Sequence, residues 1–185
     1  MAHTVELTEG RIRSWLGRFV VDLNLCPFAR PLLGADSLRI AICTEAGQAA
    51  LRGAFLSELD LLQCSTEAEI TTTLLAFPNA LAGFEEYLAF LDEAEYLLAA
   101  AGLEGVVQLA SFHPQYRFEG EADAAAGAYS NRAPCPLVHL LREDMLTRVL
   151  ADCADPEQIP ARNIETLEAI GAAELERRWR ALFET

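Results

Sequence analysis

A cysteine, Cys26, stands at the end of the first predicted helix, directly before Pro27. A thiol near a helix C-terminus faces the negative end of the helix dipole, which raises its pKa and opposes formation of the nucleophilic thiolate. Free cysteine is also among the residue types most often buried. The pattern therefore favours a packed structural thiol. A nucleophile or a ligand is the alternative, which keeps Cys26 among the candidate catalytic residues.

A histidine, His113, follows immediately on the last predicted strand and precedes Pro114. Open parallel sheets bind ligands at the carboxyl ends of their strands, where a rigid scaffold positions the loops. We therefore expect His113 to act as a general acid or base, with Tyr116 orienting a substrate. The alternative is that both side chains only hydrogen-bond to a backbone turn.

Polar side chains and a leucine-rich run share the segment 129–143. Pro136 suits the first turn of a helix, and a helix is predicted from there to about residue 152. His139, Arg142 and Glu143 would then share one helix face, among leucines that indicate burial. A buried arginine needs an anion, so Arg142 is expected to pair with Glu143 or with an anionic ligand.

Two polar residues, Asn131 and Arg132, precede this predicted helix. We expect them to present an amide and a guanidinium to an anion near the helix N-terminus. With Tyr116, His139 and Arg142 they form the predicted substrate-binding set. Arg142 is expected to matter for folding and Arg132 for binding.

The basic residues exclude several reaction classes, because all fourteen are arginine and the chain has no lysine. Without lysine there is no Schiff base, no lysine-anchored pyridoxal phosphate and no Walker A loop. The net charge of -14 and the pI of about 4.5 disfavour nonspecific binding to nucleic acid and to anionic membranes. We expect no cofactor, no nucleic-acid partner and no membrane partner, and the oligomeric state stays open.

The five cysteines are widely and irregularly spaced, with no C-x-x-C motif. This spacing indicates free thiols in a reducing compartment. The first residues carry no signal-peptide apolar block, so we expect a cytoplasmic protein. The cysteines and histidines lack metal-ligand spacing, so no metal site is predicted.

Helical and extended patterns alternate along the chain. An amphipathic helix is predicted over 8–25, with Thr8 as a possible N-cap. The remaining elements are strands over 38–43, 70–77 and 106–112, helices over 46–64 and 80–101, a loop over 119–130, a short helical turn at 155–156 and mostly helical structure over 163–183 with a possible break at Gly171. The third strand has the most strongly buried pattern, and the threonine-rich second strand is expected nearer an edge.

Strand–helix–strand alternation favours parallel pairing through right-handed crossovers. We therefore predict one α/β domain over residues 1–185, with a small, mainly parallel three-stranded sheet and flanking helices. An α+β arrangement with a mixed sheet is the alternative.

Five segments carry a resemblance to a known family: LNLCPFA at 23–29, ASFHPQYRF at 110–118, YSNR at 129–132, LVHLLRE at 137–143 and IPARNI at 159–164. Over nearly the whole chain the sequence resembles a bacterial family of unknown function, DUF 1415. The resemblance implies a pocket drawn from Cys26, His113, Tyr116, Asn131, Arg132, His139 and Arg142, and it implies no activity. Cys135 and Ala133 differ from the family pattern, which leaves Cys26 as the better thiol candidate.

Two classes of function fit these residues. One is an enzyme or enzyme-like site for a small anionic molecule, with His113 as the general acid or base and Arg132 and Arg142 as anion clamps. The other is a noncatalytic ligand-binding or protein-interaction module, in which the same residues form a structural polar network. Solvent access separates them, because a pocket that reaches His113 and Arg132 supports the first class and full burial with internal partners supports the second.

Overall fold

Helices alternate with strands in the computed structural model, which describes residues 2–120, 125–151, 153 and 155–184. The elements are, in chain order, α1 (Ala2–Trp15), a π-helical segment (Leu16–Val21), α2 (Ala29–Leu32), β1 (Leu38–Ile42), α3 (Gln48–Cys64), β2 (Thr72–Ala76), α4 (Phe84–Ala100), β3 (Val107–Phe112), a 3-10 helix (Ala126–Ser130), β4 (Leu137–Arg142), α5 (Glu143–Ala151), a second 3-10 helix (Pro156–Gln158), α6 (Ile159–Ile170) and α7 (Ala172–Arg180). Part of the predicted loop at 119–130 lies outside the described residues. None of the helices in these ranges has the length and apolarity needed to cross a membrane.

Four strands form one sheet within the described residues, in the order β1-β2-β4-β3. β1 and β2 are parallel, and β4 is antiparallel to both of its neighbours. The three predicted strands therefore run in one direction, as expected, but β4 lies between the second and the third. The prediction of a mainly parallel three-stranded sheet was wrong, and the mixed sheet named as the alternative is confirmed.

The helix predicted from Pro136 to about residue 152 was wrong in its first part, because Leu137–Arg142 is a strand, and its second part is confirmed as α5. A short apolar run fits a buried strand and a buried helix equally well by periodicity alone. Successive side chains of a strand point to opposite faces, so His139 and Arg142 lie on opposite faces of the sheet and share no helix face. The predicted helix-face partnership of Arg142 with Glu143 fails for the same reason.

The second strand was expected nearer an edge and the third was expected to be the most buried, and the structure shows the reverse. β2 is a central strand and all five of its residues are buried, including Thr72 and Thr73. β3 is an edge strand in which only Val107 is fully buried. The difference follows from β4, which covers one edge of β2 and leaves β3 at the edge of the sheet.

The prediction of Thr8 as a possible N-cap was also wrong, because Thr8 is buried inside α1.

Two apolar clusters cover the two faces of the sheet. One packs α3 and α4 against one face, with Leu75, Val138 and Leu140 at its centre. The other packs α1, the π-helical segment, α6 and α7 against the opposite face. Gly171 separates α6 from α7 at a positive φ of 83°, which confirms the predicted break. A single domain over residues 1–185 stays a prediction.

Arg142 binds the end of α3. Its guanidinium donates hydrogen bonds to the backbone carbonyls of Leu62 at 2.7 Å, Ser65 at 2.8 Å and Ile70 at 3.0 Å. The last carbonyls of a helix lack partners within the helix and carry its negative dipole end, so a cation there both pairs and stabilises them. Arg142 thus joins the last residue of β4 to α3 and to the segment that enters β2.

We expect Arg142→Ala to lower the free energy of unfolding by about 2–4 kcal/mol, because partly buried carbonyls lose a charged donor. Arg148→Ala is the matched control, since Arg148 forms an exposed ion pair with Glu67. That control should change stability by at most about 0.5–1 kcal/mol. Urea denaturation measures both, and equal losses in the two variants would contradict the structural role of Arg142.

Candidate ligand-binding cavity

A cavity of about 310 Å³ lies on the face of the sheet that packs against α1. Its floor runs across all four strands, from Leu38 on β1 through Leu74 and His139 to Gln108 on β3. Its roof comes from the N-terminal helices and α5, with residues such as Trp15, Leu16, Val20, Phe28, Leu32 and Met145. We call this space the sheet cavity. Its volume is within the range of small-molecule sites, and its walls are almost entirely hydrocarbon.

His139 is the titratable imidazole in this floor. The register pairs it with Leu74 on one side and Ala110 on the other. Its Nε2 lies 2.6 Å from the Thr72 hydroxyl, whose oxygen lies 2.8 Å from the carbonyl oxygen of Leu140. A carbonyl only accepts, so the single hydroxyl proton of Thr72 goes to Leu140 and Nε2–H must donate to Thr72. His139 Nδ1 is then the lone-pair nitrogen, and it makes no hydrogen bond within the described residues.

Burial keeps this imidazole neutral. It lowers the pKa of His139 from 6.5 to about 4. A neutral imidazole carries one N–H and one acceptor nitrogen, and the Thr72 contact uses the N–H. The sheet cavity therefore presents an unprotonated ring nitrogen in a mostly apolar wall, whose other polar side chains include those of Trp15, Thr72 and Gln108.

A second space, of about 420 Å³, adjoins the sheet cavity and shares with it the wall residues Val20, Cys26 and Phe112. We call it the loop cavity. Its polar lining is neutral and includes Ser130, Asn131 and Asn163. Asn131 donates to the carbonyl of Ser111 and accepts from the Ser130 hydroxyl, and Asn163 donates to the carbonyl of Leu25.

Cys26 lies between the two cavities and lines both. Burial raises the pKa of its thiol, while hydrogen bonds from the backbone of Phe28 and Ala29 act in the opposite direction. The thiol is therefore protonated at neutral pH. Cys135, the other thiol near this region, is buried, and burial raises its pKa to about 12.

His113 lies elsewhere, beneath α4. It is fully buried among Phe84, Tyr87 and Tyr116, with ring centroids of the first two within 5.3 Å of its own. Its Nδ1 accepts from the backbone N–H of Gln115, and its Nε2–H therefore donates to the carbonyl of Leu81 at 3.0 Å. Burial lowers the pKa of His113.

The Leu81 carbonyl belongs to a residue with an unusual backbone, because Leu81 has a φ of 57°. A bulky residue in this left-handed region is strained, and surrounding contacts must hold it there. The hydrogen bond from His113 is one such contact, and it fixes the turn that leads into α4.

The remaining predicted site residues, Tyr116, Arg132 and Arg142, are half-buried and contact other parts of the protein. Tyr116 packs against Phe84, with ring centroids 5.3 Å apart. The guanidinium of Arg132 lies 4.5 Å from the ring centroid of Tyr129 and donates to the carbonyl of Tyr116. Arg142 binds α3. The structure thus brings Cys26 together with His139 and with Asn131, and it places His113, Tyr116 and both arginines outside the two cavities.

Sequence reasoning missed several polar residues of these cavities, namely Trp15, Thr72, Gln108, Ser130 and Asn163. Trp15 is 1% exposed, and its indole N–H has no hydrogen-bond partner in the described ranges. Thr72 fixes the tautomer of His139, and Asn163 lines the loop cavity. Asn163 stands inside the IPARNI segment, so that segment held a usable signal. Nothing in the local pattern distinguishes Thr72 from Thr71 or Thr73.

The family model described as "Protein of unknown function (DUF1415)" matches residues 8–177. The chain therefore belongs to this family, and the resemblance inferred from the five segments is confirmed. No curated protein and no solved structure matches the chain. Each of the five segments contributes at least one residue to the cavity walls, among them Cys26, Phe112, Asn131, His139 and Asn163.

A structural metal site needs about four histidine, cysteine or carboxylate ligands close together. Across the described residues, no cluster of three or more histidine, cysteine, aspartate or glutamate side chains has the arrangement of a metal site. The polar groups of the two cavities are amide, hydroxyl, thiol, indole and imidazole groups. This set suits hydrogen bonding to a neutral molecule.

We expect His139 to make the protein less stable as the pH falls from 6.5 towards about 4. In that window the unfolded chain binds a proton at this residue and the folded chain does not, so stability is retained above 6.5 and lost below it. His139→Phe should flatten the slope by at most about 1.4 kcal/mol per pH unit. Urea denaturation of both proteins across the window measures the difference, and parallel curves would show that His139 protonates normally in the fold.

Proposed function

We propose that the protein binds a neutral, largely hydrocarbon small molecule in the sheet cavity. The observation that carries this proposal is the lining of the cavity. Its eighteen wall residues include no charged side chain within the described residues. Apolar walls favour an apolar ligand, because water transferred from them to bulk solvent provides the driving force.

The π-helical segment supports the same proposal. Leu16 and Val20 of this segment are buried and line the sheet cavity. π-Helical turns are rare and occur frequently at functional sites, since they displace side chains from the positions that an α-helix would give them. Here the π-helical turn places Leu16 and Val20 in the roof of the sheet cavity.

Acid or base catalysis by His113 stays a prediction. Binding is the better supported function, because both ring nitrogens of His113 already bond to backbone groups and leave no nitrogen for a substrate. This arrangement matches the structural alternative for that residue. Cys26 does face both cavities, but its raised pKa opposes nucleophilic chemistry there.

An anionic ligand also stays a prediction. The arginines expected to bind it, Arg132 and Arg142, do not line either cavity, and Arg142 donates to three backbone carbonyls. The described residues that line the two cavities include no cation, and burying an unpaired charge in apolar surroundings is costly. A neutral ligand avoids this cost.

Filling the sheet cavity should abolish binding. We expect octane to raise the Tm of the native protein and to leave the Tm of Ala110→Phe unchanged, because the added ring occupies the space beside His139. A ligand at a hundredfold excess over its Kd stabilises the folded state by about 2.7 kcal/mol. Differential scanning fluorimetry measures the shifts.

The matched control is Ala89→Phe, which adds the same atoms at an exposed position of α4 on the other side of the sheet. Its response to octane should equal that of the native protein. Absence of any shift in the native protein, or an equal shift in Ala110→Phe, would rule out the sheet cavity as an apolar binding site.

A further inference from the structure

Resting on the proposed function, we propose that the ligand of the sheet cavity carries a hydroxyl group, which donates a hydrogen bond to Nδ1 of His139. This inference adds a specific polar group to the hydrocarbon ligand proposed above. It follows from the hydrogen bonds that the protein makes around His139 and from those that it leaves unmade.

The hydrogen bonds around His139 have one consistent set of donors and acceptors. The Thr72 hydroxyl donates its hydrogen bond to the Leu140 carbonyl, and the Nε2–H group of His139 donates to the Thr72 oxygen. Nδ1 is therefore an acceptor, and no described residue donates to it. His139 is partly exposed although its strand is paired on both edges and covered on both faces. Its exposed surface accordingly faces the cavity that it lines.

The ligand group that faces Nδ1 must donate a hydrogen bond without carrying a charge. A purely hydrocarbon ligand would cover Nδ1 and leave this acceptor without a hydrogen bond, which weakens binding. An ammonium group would donate, but no carboxylate lines the sheet cavity in the described part of the chain to balance its charge. A carboxylate or an ether has no proton to give. A neutral donor on an apolar body meets all three conditions.

Trp15 supplies a second, independent observation. It lines the same cavity, and its buried indole N–H has no acceptor among the described residues. Its ring lies 5.4 Å from that of Phe112, whose ring in turn lies 6.3 Å from His139. A hydroxyl both donates and accepts. It is thus a small neutral group that can pair with both the acceptor in the floor and the donor in the roof of this cavity.

The test compares octanol with its isomer heptyl methyl ether, which has the same atoms but no donor. We expect the native protein to bind octanol about tenfold more tightly, a difference equivalent to one buried hydrogen bond. In His139→Phe, which keeps a ring and loses both nitrogens, the two isomers should bind equally. Isothermal titration calorimetry measures the four affinities.

Equal binding of the two isomers to the native protein would overturn the hydroxyl inference while leaving the sheet cavity as an apolar site. A preference for octanol that persists in His139→Phe would also overturn it, because the donor would then bond elsewhere. Failure of both isomers and of octane to bind would instead refute the proposed function, and with it this inference.

A second measurement does not depend on the folding of any variant. In the ¹⁵N spectrum of the native protein, octanol should shift the Nδ1 resonance of His139 and the ether should not produce the same change. The imidazole of His113 is the internal control, because both of its nitrogens already bond to the backbone. An unchanged Nδ1 resonance in the presence of bound octanol would contradict the proposed contact.

Discussion

Strand β4 lies antiparallel between β2 and β3, and its hydrogen bonds on both edges determine what the sheet presents to each side. Alternate residues of β4 go to opposite faces, so Val138 and Leu140 join the cluster under α3 and α4 while His139 faces α1. A slip of one residue would exchange these faces and put leucine or valine where the imidazole now stands. The cavity chemistry therefore depends on the register of this one strand, which Arg142 holds against α3.

The protein separates its charge from its proposed site. The net charge of -14 and many of the ion pairs, such as Arg13 with Glu9 and Arg177 with Glu174, belong to the outer surface. The two histidines that pack inside the protein, His139 and His113, are neutral at neutral pH, because burial lowers the pKa of each. This division explains how a strongly acidic protein can offer a cavity that favours hydrocarbon. It also explains why the arginines, the only strong cations in the sequence, act in packing and ion pairing.

Local sequence patterns predicted three of the strands and the helices between them, because each has its own apolar period and a clear end. They failed at Leu137–Arg142, because a short run that is buried on both faces has no diagnostic period. Since this strand was missed, the positions of β2 and β3 in the sheet and the partners of Arg142 were predicted wrongly as well. Of the predicted site residues, Cys26, Asn131 and His139 line the cavities. A cavity arises where packed layers leave space between them, and no local pattern encodes that space.

A crystal structure of the protein soaked with octanol would show directly whether the sheet cavity binds an apolar molecule. We expect an alkyl chain between Leu74 and the roof of the sheet cavity, with the hydroxyl oxygen about 2.8 Å from Nδ1 of His139. Octanol ordered only outside this cavity, or a sheet cavity closed by the protein's own side chains with Nδ1 bonded to one of them, would contradict it.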